Sequence, residues 1–169
     1  MAAGRPTIPD DTLAKWQRVV DIMARIMVAP AGLVMRTEPP VHAVLVTSVG
    51  PANPYPVGAS FTLRRNLYCN SVIENRSELL VRDAWSDPEW CDNQDLEHGM
   101  SFYLGLPIAW PDGALFGTIC VLDRHDNPAR RAQDANFSML QTQLSEHGRH
   151  PLLHLEDCRA HILGGQFFD

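Results

Sequence analysis

The chain has 169 residues and a mass of 18.9 kDa, the size of one domain, and its 45% apolar and 20% charged content suits a packed core rather than disorder. Fourteen basic against 20 acidic side chains leave a net charge of −6, which argues against nucleic acid or an anionic membrane surface as partner. No run reaches the ~18–20 apolar residues of a membrane span, and the opening MAAGRPTIPDD lacks the apolar stretch of a signal peptide.

Residues 1–9 read as an N-terminal tail, with Asp10 and Asp11 as candidate N-caps. Leu13, Trp16, Val19, Val20, Met23, Ile26 and Met27 then recur at helical spacing, which predicts an amphipathic helix ending near Ala29, before Pro30. Gly32–Arg36 and Val41–Val49 read as strands. The three prolines and one glycine of Pro51–Ser60 predict a structured loop. A helix is expected over Arg65–Asn75 with Leu67, Val72 and Ile73 inward, followed by a short strand at Leu79–Val81. Asp87-Pro88 looks like an N-cap with proline at the first helical position, opening a short helix through Trp90.

Ser101–Ile108 and Leu115–Leu122 form the clearest pair of strands, joined at Trp110-Pro111-Asp112-Gly113. Proline sets φ in such a turn and glycine accepts a positive φ, so a central antiparallel hairpin is predicted. A second long helix is expected over Ala132–His147, interrupted at Pro151 and followed by a shorter one over Leu152–Leu163. Residues 10–147 are thus the domain body and 148–169 a C-terminal helical extension. The order of elements predicts an α+β fold with one antiparallel sheet. Long terminal helices would cover one face, and short helices and loops would enclose a cavity on the other.

At this point the string of motifs resembles the GAF domain family, in a bacterial sensory branch found ahead of diguanylate cyclases and histidine kinases. The resemblance is carried by Trp16, by Pro30 through Arg36, by Asn53-Pro54-Tyr55, by Tyr68-Cys69 and by Leu79 through Ala84. It continues in Asp87-Pro88-Glu89-Trp90, Asn93-Gln94-Asp95, Gly99-Met100, Tyr103 through Ile108, Trp110 through Gly113 and Phe116 through Asp123. It spans residues 10–145, with the motifs in the family's order. Asn93-Gln94-Asp95 stands where the family often has Asn-Pro-Asp. The Asn-Lys-Phe-Asp-Glu signature of cyclic-nucleotide binders is absent, and Cys69 is followed by Asn70 rather than by the histidine of bilin-attaching members. The cysteine arrangement of the methionine-sulfoxide reductases built on this fold does not align.

The resemblance implies a cytoplasmic regulatory module of signal transduction, of the kind used in two-component systems. It would be a homodimer through its terminal helices, and a small molecule held between sheet and short helices would shift those helices for an output domain or a signalling partner to read. The ligand-pocket candidates are Tyr68, Cys69, Trp85, Trp90, Asn93, Met100, Phe102 and Tyr103, because aromatic and thioether side chains with a few polar groups suit a small organic ligand. A filled core accounts for the same residues.

The four cysteines, Cys69, Cys91, Cys120 and Cys158, contain no CxxC pair and read as reduced thiols of a cytosolic protein. Cys69 is either a reactive thiol, with Arg64 and Arg65 close in sequence, or a small apolar residue of a core helix. Cys91 lies among Glu89, Asp92 and Asp95, which disfavour its thiolate, and Cys120 reads as mid-strand packing. The acidic stretch from Asp83 to Glu97 lacks calcium-loop spacing. No nucleophile elbow, phosphate-cradling glycine loop or HExxH is present, so no enzymatic activity is expected.

His147, His154 and His161 fall seven apart on a heptad-like seam, which would make a dimer sensitive to pH or zinc. Gly148 and Pro151 work against one continuous helix there. Gly164-Gly165 followed by Gln166-Phe167-Phe168-Asp169 reads as a stop and favours a stand-alone regulator. Two other readings stay open: a small redox enzyme acting through Cys69, and a ligand-free dimerisation domain.

Overall fold

The apolar stripe at helical spacing becomes α1, Asp10–Ile26, in a computed structural model that describes residues 6–128. Trp16, Val19, Val20, Met23 and Ala24 form its buried face. The N-cap is Pro9 rather than either aspartate, and its carbonyl accepts from Leu13 N at 3.0 Å. Asp10 and Asp11 instead occupy the first turn, where negative charge complements the helix dipole. The helix ends before Ala29 because the chain must reverse into the sheet: Val28 adopts φ 51 and Ala29 N closes onto Ala24 O at 2.9 Å.

Six strands follow: β1 Ala31–Glu38, β2 Val41–Thr47, β3 Ser60–Thr62, β4 Leu79–Val81, β5 Phe102–Ala109 and β6 Leu115–Asp123. They form one sheet in the order β3-β2-β1-β6-β5-β4, antiparallel at every pairing. The α+β antiparallel sheet expected from the sequence is therefore the observed fold. The β5–β6 hairpin turns as predicted, with Gly113 at φ 82 and its N–H donating to Trp110 O at 2.8 Å.

Several boundaries differ. β1 extends to Glu38 because Thr37 and Glu38 continue the pairing with β2, beyond Arg36 where the pairing with β6 ends. β3 closes onto β2 at the end of the proline-rich loop, a pairing with no local signal. Tyr68–Asn75 forms α2, which begins after Leu67 rather than at Arg65. Asp87–Trp90 makes turns instead of a helix, with Asp87 O accepting from Trp90 N at 3.0 Å and from Cys91 N at 2.9 Å. Single 3-10 segments flank it: Ala84–Ser86, capped by Asp83, and Gln94–His98, capped by Asn93.

The sheet separates two cores. Trp16, Val20, Met23, Val34, Val46, Phe102, Phe116 and Val121 pack beneath α1, with Trp16 edge-on to Phe116 at 5.4 Å. Leu33, Met35, Val44, Tyr68, Val72, Trp90, Tyr103, Cys120 and Leu122 pack beneath α2 and the 3-10 segments. α1 sits close on β1, since a Cβ added at Gly32 would come within 2.8 Å of Val20 O. The predicted helices over 132–147 and 152–163, with His147, His154, His161 and the seam they define, lie outside the described residues. Among the described residues no helix is long and apolar enough to cross a membrane.

Candidate functional site

A register shift in β2 decides which residues face α2. Val34 pairs with Val46, but Met35 pairs with Val44, so Leu45 is an extra residue that turns the rest of the strand over. Val46 consequently packs under α1, whereas Val44 faces the opposite core and His42, two residues further along, lines the same side. His42 is fully buried; its Nδ1 lies 2.7 Å from Thr37 Oγ1, and its Nε2 has no hydrogen-bond partner.

α2 brings Cys69 against this surface. Its Sγ lies 3.4 Å from Tyr103 Oη and 3.5 Å from Thr118 Oγ1, which donates to it. Cys120 follows Thr118 by two residues on β6 and lines the same core. Tyr103 reaches Cys69 because its ring lies along β5 over Gly105, where any Cβ would overlap the phenol. Tyr68 stacks on Tyr103 with centroids 4.7 Å apart, contacts Trp90 at 5.3 Å, and donates from its hydroxyl to Met100 O at 3.0 Å.

The third wall comes from Gln94–His98. Asn93 Oδ1 accepts from Asp95 N at 2.7 Å, and Gly99, at φ 75, ends the segment. This holds Asp95 so that its Oδ1 accepts from Tyr55 Oη at 2.8 Å. Asn93 Nδ2 is buried without a hydrogen-bond partner. Between these walls lies a small cavity lined by His42, Tyr55, Cys69, Asp95 and Cys120 on its polar side. Leu33, Met35, Phe61, Leu67 and Leu122 line the rest. It leaves about 10 Å³ for the centre of a water molecule, room for a single water.

Burial dominates the electrostatics. It raises the Asp95 carboxyl to about 7, aided by the charge of Cys69 and opposed by the Tyr55 hydrogen bond and by His42. It also pushes Tyr55, Tyr68 and Tyr103 above the ordinary phenol range, so their hydroxyls remain donors at neutral pH. Cys69 is drawn below the usual thiol range, first by hydrogen bonding from Cys120 and then by His42 and Tyr103, against the effect of burial. Cys120 moves up, chiefly because its hydrogen serves Cys69 and because it is buried.

The structure thus brings Tyr68, Cys69, Trp90, Met100 and Tyr103 together in one core, and Asn93 beside it as the cap that positions Asp95. Only Cys69 among the eight expected pocket residues lines the cavity itself. Phe102 belongs to the opposite core beneath α1, because it alternates with Tyr103 across the strand. Trp85 is 59% exposed, turned outward by the 3-10 turn at Ala84–Ser86. His42, Tyr55, Asp95 and Cys120 were not among the expected site residues. Tyr55 and Asp95 did stand in the quoted motifs, but nothing local signals that they meet. No group of three or more histidine, cysteine or acidic residues suited to a metal occurs among the described residues.

Gly105→Ala is expected to drive the Tyr103 phenol off Cys69 and to cost roughly 1–3 kcal/mol by overpacking. Urea unfolding would give the cost, and faster alkylation of Cys69 would report the displaced ring. An unchanged alkylation rate would mean that Tyr103 does not shield the thiol.

The family model described as the GAF domain matches residues 11–147. A cyclic di-GMP phosphodiesterase of Pseudomonas aeruginosa is 37% identical over 82 residues, which are 47% of this chain and 14% of that protein. The match therefore touches a small part of that enzyme's length. Among solved structures, the PixJ GAF domain of Thermosynechococcus elongatus in its blue-light-absorbing form superposes with TM-score 0.62 and 17% identity. It covers 91% of this chain and 89% of its own. A cyanobacteriochrome receptor PixJ structure gives TM-score 0.64 and 16% identity, covering 86% and 95% respectively. These two likenesses concern the fold.

Proposed function

Because this chain belongs to the GAF domain family, a sensory and regulatory fold, we propose that it is a non-catalytic signalling module whose input enters between α2 and the sheet. The observation that carries this reading is a buried polar atom without a hydrogen-bond partner, Nε2 of His42, a residue that lines the cavity. A buried polar group without a partner costs about 1–3 kcal/mol, so a ligand that engages it gains that much over the empty site. The ligand is a small molecule with a hydrogen-bonding group for His42 Nε2 and an apolar body for Leu33, Met35 and Leu122. Its entry widens a cavity that has room for a single water, and that widening is the structural signal.

Strands β1 and β2 are the means of transmission. They carry the cavity wall on one face and support α1 on the other, so a change in their spacing reaches the terminal helix. In this reading the module is cytoplasmic, pairs as a homodimer through its terminal helices, and delivers its state to an output domain or signalling partner of the two-component kind. Native mass spectrometry of the protein purified from its own host tests this directly. The expected result is a dimer that carries a defined extra mass, lost in His42→Leu. A bare monomer would overturn the helix-borne mechanism, and a bare dimer would favour a ligand-free dimerisation domain.

A further inference from the structure

We propose that Cys69 and Cys120 form a redox-active thiol pair, served by His42, which a small hydroperoxide converts to an intramolecular disulfide. Three independent features of the fold point there. Both cysteines are free, buried and on the wall of one cavity, Cys69 from α2 and Cys120 from β6. Cys69 Sγ sits within 3.5 Å of Thr118 Oγ1, which precedes Cys120 by one step along the same strand face, so the two thiols lie over neighbouring positions of β6. His42 lines the same cavity fully buried, and its Nε2 is without a partner.

The chemistry follows from these positions. In the tautomer whose Nδ1–H donates to Thr37 Oγ1, Nε2 carries a free lone pair. It takes the Cys69 proton, and the thiolate attacks one oxygen of the hydroperoxide. The O–O bond breaks, Cys69 is oxidised to the sulfenic acid, and the leaving oxygen recovers the proton from His42. Cys120 Sγ then attacks the Cys69 sulfur. The S–O bond breaks, the S–S bond forms, and the hydroxyl departs with the Cys120 proton as water. Two thiols give up two electrons and two protons, and hydrogen peroxide becomes two waters.

The environment matches these roles. Hydrogen bonding from Cys120 and Tyr103, together with the positive charge His42 gains on taking the proton, favours the thiolate at Cys69, while Cys120 holds its proton. The cavity has space for about one water, which excludes bulky disulfides such as oxidised glutathione and leaves a small peroxide as the oxidant nearest its size. Cys91 is exposed instead, and its Sγ donates to Pro88 O at 3.7 Å.

This inference shares the cavity with the proposed function but does not rest on it, since a protein that bound no ligand would still cross-link. The test is to treat the reduced 169-residue chain with hydrogen peroxide, denature and alkylate it, and map its four cysteines by mass spectrometry. The expected product is a Cys69–Cys120 linked peptide two hydrogens lighter than the reduced pair. In Cys120→Ser a dimedone probe should capture Cys69 sulfenic acid, and His42→Gln should slow Cys69 consumption roughly tenfold or more while Cys91 is unaffected. Complete oxidation of Cys91 with Cys69 and Cys120 still alkylatable would overturn the proposal. So would linkage of Cys69 to Cys91 or Cys158. The mapping of the unsubstituted chain stands even if a variant fails to fold.

Discussion

Gly117→Ala is expected to destabilise the domain by roughly 3 kcal/mol or more, a large part of the 5–15 kcal/mol that holds a typical domain together. Gly117 lies on β6 opposite Arg36 of β1. A Cβ there would overlap the Met35 carbonyl oxygen, which is backbone and has no rotamer to escape into. Relief requires β1 and β6 to separate, and that pairing joins the two halves of the six-stranded sheet. Gly50→Ala is the natural control, because its nearest neighbour would be Pro30 O at 4.0 Å. It should be neutral or stabilising by about 0.4–1 kcal/mol through the unfolded chain. Urea midpoints for the two variants decide the matter, and equal midpoints would refute the close-approach argument.

The second large effect concerns pH. Asp95 titrates at about 7 in the folded protein and near ~3.9 when unfolded. Its folded pKa is the higher one, so between about pH 4 and pH 7 the native state holds a proton that the unfolded state has released. Stability from this group is fully present below ~4 and is lost as pH rises through 7. The loss is on the order of a few kcal/mol, because Asp95 is buried rather than solvent-screened. Asp95→Asn keeps an oxygen to accept the Tyr55 hydroxyl and removes the titration. The variant should show a flatter pH dependence of unfolding over this window and exceed the parent in stability above pH 7. Parallel curves for the two proteins would show that Asp95 is already ionised well below neutrality.

Both effects come from contacts between elements, and they mark how far reading along the chain extends. Trp16, Val20 and Met23 reveal their helix because i, i+3 and i+4 spacing is a local property, and the stripe they make is the buried face of α1. The β5–β6 hairpin is equally legible, since Pro111-Asp112-Gly113 sets both its turn and the pairing that follows. Cys69 and Tyr103 were recognisable as neighbours of a pocket, because the family pattern places them on α2 and on a central strand.

His42 shows where such reading ends. In an unbroken β2 it would share a face with Val46 and point at α1, since alternation has a period of two. The extra residue Leu45 reverses that assignment, and its effect exists only in the pairing of β2 with β1. Phe102 errs for a related reason: its neighbour Tyr103 takes the α2 side, and alternation alone does not say which of two apolar faces meets which layer. Tyr55 and Asp95, 40 positions apart, acquire their shared hydrogen bond only when the proline-rich loop and the Gln94–His98 segment close over the same core. The sequence by itself determined the fold class, α1, the central hairpin and the family, because each rests on local periodicity, turn chemistry or ordered motifs. The tertiary structure alone decided the site, because its polar members come from separate elements and a one-residue shift in strand register selects which of them face inward.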